Sequence, residues 1–114
     1  MENIIFIEIE EVIEIHKDLI NKFGGSHGIR DMGLLESAIN SPQASFGGEY
    51  LNKDIFEMAG SYLYGLTKNH AFIDGNKRIG VYTAVLFLEL NDIEFNLTND
   101  QLYDLGINAA TSYS

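Results

Sequence analysis

From Ile79 to Leu88 the chain is apolar on nearly every side of a helix: Ile79, Val81, Tyr82, Ala84, Val85, Leu86, Phe87 and Leu88 leave no polar stripe for water. A surface helix shows one apolar face, whereas a helix apolar all round sits at the centre of its domain. The segment therefore predicts a central helix from Asn76 or Lys77 to about Leu90, broken by Asn91-Asp92, with the rest of the chain packed around it. That requirement favours an all-α fold, a small helical bundle.

The flanking segments supply the surrounding helices. Ile9, Val12, Ile13, His16, Leu19, Ile20 and Phe23 follow helical spacing and define one inward face, which Gly24-Gly25 terminates. Before it, Ile4 to Ile7 reads as a short strand or extended arm. Asp31 caps a short helix carrying Leu34, Leu35, Ala38 and Ile39, closed by the lone Pro42. Gln43 to Asn52, with Gly47-Gly48 between Phe46 and Tyr50, reads as a surface flap or hairpin ahead of the central helices. A longer helix begins near Lys53 or Asp54 with Ile55, Phe56, Ala59, Tyr62, Leu63 and Leu66 as its expected inner face. A last helix, capped by Thr98 or Asn99, carries Leu102, Leu105, Gly106, Ala109 and Ala110. The 114 residues suit a single domain over residues 1–114, with no linker or repeat.

The charge balance narrows the partners. Seven basic against 17 acidic residues give a formal net charge of −10. Such a surface repels phosphate backbones, so direct nucleic-acid binding is not expected. No cysteine is present, and the first residues lack a basic secretory leader. No apolar run is long enough for a bilayer. The expectation is a soluble, cytoplasmic protein that does not engage membranes.

The chemistry concentrates in the loop that leads into the central helix, His70-Ala71-Phe72-Ile73-Asp74-Gly75-Asn76-Lys77-Arg78. A helix N-terminus carries unpaired N–H groups and partial positive charge. Gly75 lets the backbone turn tightly and admits a close ligand, and together these make an anion site suited to phosphate. Asn76 adds amide donors, Arg78 a bidentate fork and Lys77 a point charge. Asp74 is a hard oxygen ligand suited to Mg²⁺ beside a polyphosphate. His70 is placed to take a proton from an incoming hydroxyl. Apolar Phe72 and Ile73 can pin the loop in the core.

Each residue also has a plainer use. Asp74 or Asn76 can simply cap the helix; His70 can be a satisfied loop histidine; Lys77 and Arg78 can be solvated charges; Phe72 can be core. The four-residue spacing from His70 to Asp74 lacks a third ligand, which argues against zinc. Taken together, ahead of a buried helix, the residues favour function over these separate uses.

The same nine residues resemble the signature of Fic/Doc proteins: His, any residue, Phe, two residues, a small residue, Asn, Gly or Lys, then Arg. The resemblance extends from roughly Ile4 to Thr111 through Phe23-Gly24-Gly25, Gly28-Ile29-Arg30-Asp31, Gly33-Leu34-Leu35-Glu36, Ser41-Pro42-Gln43, Phe46-Gly47-Gly48 and Phe87-Leu88-Glu89-Leu90-Asn91, all of which look like death-on-curing (Doc) proteins. It implies the Fic/Doc helical fold, ATP with Mg²⁺, and transfer to a protein hydroxyl. Carried over, His70 is the general base, Phe72 the loop anchor, Asp74 the Mg²⁺ ligand, and Gly75, Asn76, Lys77 and Arg78 the phosphate-binding set.

Two departures from the AMP-transferring Fic pattern separate the branches. Lys77 stands where those proteins have Gly, and Val81 where they have a second Arg. Both resemble the Doc branch, in which the nucleotide binds inverted and the terminal phosphate is transferred. The resemblance thus implies the toxin of a toxin–antitoxin module, a protein kinase whose expected target is a translation factor. AMP transfer and a non-catalytic phosphate- or nucleotide-binding module are the alternatives. The string Ser45 to Glu49 precedes Tyr50 in a glycine-rich flap and does not read as a self-inhibitory helix. Control is instead expected from a separate antitoxin that folds as a helix in a groove of the toxin.

Overall fold

The computed structural model describes residues 3–94, and the expected final helix lies outside the described residues. Among the described residues lie four helices, a short 3-10 turn and one hairpin: α1 (Ile9–Phe23), α2 (Met32–Asn40), the turn Ser41–Gln43, β1 (Ser45–Phe46), β2 (Glu49–Tyr50), α3 (Ile55–Lys68) and α4 (Asn76–Leu90). The sequence-level boundaries reappear with their physical causes. Glu11 accepts the Glu8 N–H at the start of α1. The Asp31 carboxylate caps α2 through the Leu34 N–H, and Asp54 caps α3 through the Glu57 N–H. Pro42 lies in the tight turn just beyond α2.

The hairpin is minimal. Ser45 pairs with Tyr50 and Phe46 with Glu49, antiparallel, around Gly47-Gly48. Both glycines have positive φ, +61° and +84°, as the mirror-image turns that match strand twist require. Phe46 keeps 83% of its surface exposed, while the Tyr50 ring packs against Phe6 at 5.7 Å between centroids.

α4 packs most extensively along α3 and also touches α1. Ile79, Tyr82, Thr83, Ala84 and Phe87 are buried on it, while Val81, Val85, Leu86 and Leu88 are half-buried among the described residues. The close approach to α3 depends on Gly80, where a Cβ would lie 2.8 Å from Thr67 Oγ1 and 3.2 Å from the Leu63 carbonyl oxygen. The core joins Val12 and Leu19 of α1, Leu35 and Ile39 of α2, Met58, Tyr62 and Leu66 of α3, and Ile79 and Phe87 of α4.

The inner face of α3 differs from the expected one. Its buried residues are Met58, Ala59, Tyr62, Gly65 and Leu66. Phe56 is 60% and Leu63 38% exposed. The true stripe runs Ile55, Met58 and Ala59, Tyr62, Leu66; Phe56 and Leu63 lie one position out of its phase, about 100° around the helix.

The N-terminal residues form an extended arm rather than a strand. Two anchors hold it. The Ile7 N–H donates to the Tyr62 hydroxyl at 3.0 Å. The Asn91 side chain accepts from the Ile5 N–H and donates to the Ile5 carbonyl, both at 2.9 Å, tying the arm to the end of α4. Burial pushes the Tyr62 phenol up to about 12, so it remains a neutral hydrogen-bonding group.

Candidate active site

The turn between α3 and α4 is built by its neighbours. Gly75 adopts a left-handed conformation (φ +74°) and starts α4. Phe72 is buried and forms an isolated antiparallel bridge with Ile29, on the strap between α1 and α2. Around that bridge the Ala71 carbonyl accepts from Arg30 and Asp31 N–H at 2.7 and 3.0 Å, and the Ile73 N–H donates to the Gly28 carbonyl at 3.1 Å. The strap and the motif loop therefore form one unit, although some forty residues of chain separate them.

Asn76 acts inside this unit. Its Oδ1 accepts the Phe72 N–H and its Nδ2 donates to the Phe72 carbonyl, both at 3.0 Å. The amide expected to reach a phosphate is therefore engaged in closing the loop, and the residue is buried. Its side chain closes the loop and is not free for a ligand, whereas backbone N–H groups at a helix start suit an anion.

Asp74 is held at three points. Its carbonyl accepts from His16 Nε2 at 2.7 Å. Its carboxylate accepts from Ser26 N–H at 3.1 Å and from Gly75 N–H at 2.8 Å, one on each oxygen. A Cβ at Gly25 would come within 2.7 Å of Asp74 Oδ2, so that glycine gives the carboxylate its room. Each carboxylate oxygen retains a further lone pair. One carboxylate plus substrate phosphates is a common donor set for Mg²⁺, so the residues present fit that ion.

His16 is the supporting residue that sequence reasoning placed only among the core positions of α1. Its imidazole is buried and lies flat on the Phe72 ring, 3.8 Å between centroids with 10° between planes. A carbonyl can only accept, so Nε2 carries the proton. Burial lowers the imidazole pKa, against the opposing pull of the Asp74 hydrogen bond. The legible signal was a histidine on the apolar stripe of an amphipathic helix.

His70 is exposed and has a left-handed backbone, φ +49°. This is uncommon for a residue with a side chain. Arg30 Nε donates to its carbonyl at 2.7 Å, while Asn69 Nδ2 donates to the Leu34 carbonyl at 3.0 Å and fastens the loop's start to α2.

His70, Asp74, Gly75, Asn76, Lys77 and Arg78, every candidate site residue, line one open cleft of about 510 Å³ together with Phe23, Gly24 and Gly25. Arg78 lies over the Phe23 ring at 5.1 Å. Its Nε is buried without a hydrogen-bond partner among the described residues. The Thr67 and Thr83 hydroxyls share that condition, but neither lines the cleft. The Arg78 guanidinium beside a helix N-terminus and a lysine is a grouping that suits an anionic ligand. Among the described residues no group of three or more His, Cys, Asp or Glu gathers as a metal centre, and no helix is long and apolar enough to cross a membrane.

The fold and cleft together define a small helical bundle in which a left-handed glycine starts a helix between an acidic loop residue and two cations. The chain belongs to the Fic/DOC family, whose model matches residues 6–88. It is similar to the protein kinase doc of Escherichia phage P1, with 36% identity over 105 residues, covering 92% of this chain and 82% of that protein. It is also similar to the toxin Doc of Mycolicibacterium smegmatis (strain ATCC 700084 / mc(2)155), with 39% identity over 72 residues, covering 63% of this chain and 55% of that protein.

Proposed function

We propose that the chain is a Doc-type kinase toxin that transfers the terminal phosphate of ATP to a hydroxyl of a protein target. The observation that carries the proposal is the meeting of His70, Asp74 and the Gly75–Arg78 turn on one cleft. The kinship to a protein named as a kinase supports the choice of reaction.

In this reading the target hydroxyl enters beside His70. The imidazole takes its proton as the oxygen forms a bond to the terminal phosphorus, and the bond from that phosphorus to the bridging oxygen breaks to release ADP. The first turn of α4 and the Arg78 guanidinium bind the phosphate oxygens and stabilise the charge that gathers on them. Asp74 is the residue that would hold Mg²⁺, which supplies charge neutralisation on the polyphosphate. Lys77 adds a cation that lines both this cleft and an apolar groove shared with Leu63, Tyr64 and Val81. Val81 provides no second arginine there, in keeping with terminal-phosphate rather than AMP transfer.

The wider expectations are a translation factor as target, a cytoplasmic setting and a separate antitoxin that docks as a helix. Positionally labelled ATP tests the reaction. Label from the terminal phosphate should enter protein in a cell extract and be lost with His70→Ala. Label entering from the α-phosphate instead would reject the kinase reading in favour of AMP transfer.

A further inference from the structure

We propose that Arg30 is a positioning residue for His70, holding the imidazole at the angle the transfer needs. The proposal rests on the reading of His70 as the base.

Arg30 bonds three consecutive carbonyls of the motif loop. Its Nη2 donates to Asn69 O at 3.0 Å, its Nε to His70 O at 2.7 Å, and its backbone N–H to Ala71 O at 2.7 Å. The middle residue of those three has the left-handed backbone, φ +49°. A side-chain-bearing residue keeps such a conformation only where its surroundings enforce it. Here the peptide planes on either side of His70 are fixed by the same residue. The guanidinium suits the task because its donors form a rigid fork. The rest of the site is held by other groups: Asp74 by His16, Ser26 and Gly75, and the α4 turn by Asn76. Loosening Arg30 should therefore disturb the base while leaving the phosphate site in place.

This separation makes the role measurable. Arg30→Ala is expected to lower kcat roughly 10- to 100-fold, the range for a reacting group displaced by about an ångström. ATP–Mg²⁺ affinity by calorimetry should stay within about twofold, since uniform binding is not what is lost. Arg30→Lys keeps charge without the fork and should be intermediate. Millimolar guanidinium should restore part of kcat to Arg30→Ala without moving Tm. Unchanged kcat, or kcat and nucleotide affinity falling together, would overturn the proposal. If the wild-type chain transfers no phosphate, the kinase reading fails by itself. The positioning role is then read from the His70 amide-to-α coupling by NMR in wild type, Arg30→Ala and Arg30→Lys. A left-handed φ lost in Arg30→Ala supports it, and one kept in both variants contradicts it.

Discussion

The side-chain amide of Asn76 pairs with both backbone groups of Phe72, donor to acceptor and acceptor to donor, at 3.0 Å each. This closed ring of hydrogen bonds lets a buried aromatic anchor and a helix start occupy the same corner. In the proposed reaction the phosphate contacts then fall to backbone N–H groups, Lys77 and Arg78. Asn76→Asp preserves shape but replaces the donor with a carboxylate oxygen facing the Phe72 carbonyl. The expected cost is about 2–4 kcal/mol of stability, from the lost bond and the buried repulsion. The urea midpoint, with m unchanged, checks this.

The buried His16 ties stability to pH. Its pKa in the folded chain lies below the ordinary value of 6.5, chiefly because burial disfavours the cation. Between those two values the unfolded chain binds more protons, so stability contributed by neutral His16 falls as pH drops through and below 6.5. His16→Gln keeps a donor toward Asp74 and removes the titration. The stability advantage of wild type over this variant should therefore shrink between about pH 7.5 and about pH 5.5. A pH-independent difference in denaturation midpoints would show that His16 does not titrate this way.

Gly25 and Gly24 are adjacent, both with positive φ, yet their substitutions should differ. A Cβ at Gly25 would collide with Asp74 Oδ2, whereas one at Gly24 meets nothing within 4 Å. Both variants incur backbone strain of about 1–3 kcal/mol. Only Gly25→Ala should also displace the carboxylate, lowering Mg²⁺-dependent ATP affinity by roughly tenfold, the scale seen for groups that orient metal ligands. Calorimetric titration of ATP with and without Mg²⁺ separates the two variants.

Arg78→Lys removes the unsatisfied Nε while keeping a positive charge in the cleft. Loss of the bidentate fork should weaken ATP binding by roughly tenfold, with thermal stability little changed. Equal affinity in the two proteins would mean that the guanidinium contacts Phe23 but not the nucleotide.

Most of the fold was legible because its signals are local. The α1 stripe, the Asp31 cap, the start of α3 near Asp54, the paired glycines of the hairpin and the tight turn at Gly75 each depend on a few neighbouring residues. Phe56 and Leu63 were misplaced because an apolar residue beside the stripe looks like part of it until the helix phase is fixed by tertiary contacts. The cleft itself was legible as a motif, but the duties within it were not. Nothing in the residue type says that Asn76 turns back on Phe72 instead of outward. Arg30 and His16 act on loop carbonyls 40 and 58 positions away, a distance across which one sequence carries no pairing signal.

In the proposed reaction His70 activates a protein hydroxyl against a nucleotide gripped by the α4 turn. Mass spectrometry of a target isolated after incubation with the purified chain, ATP and Mg²⁺ tests it most directly. One added phosphoryl group on a hydroxyl side chain is expected, absent with His70→Ala. An adenylyl group on the target, or equal phosphorylation by His70→Ala, would contradict it.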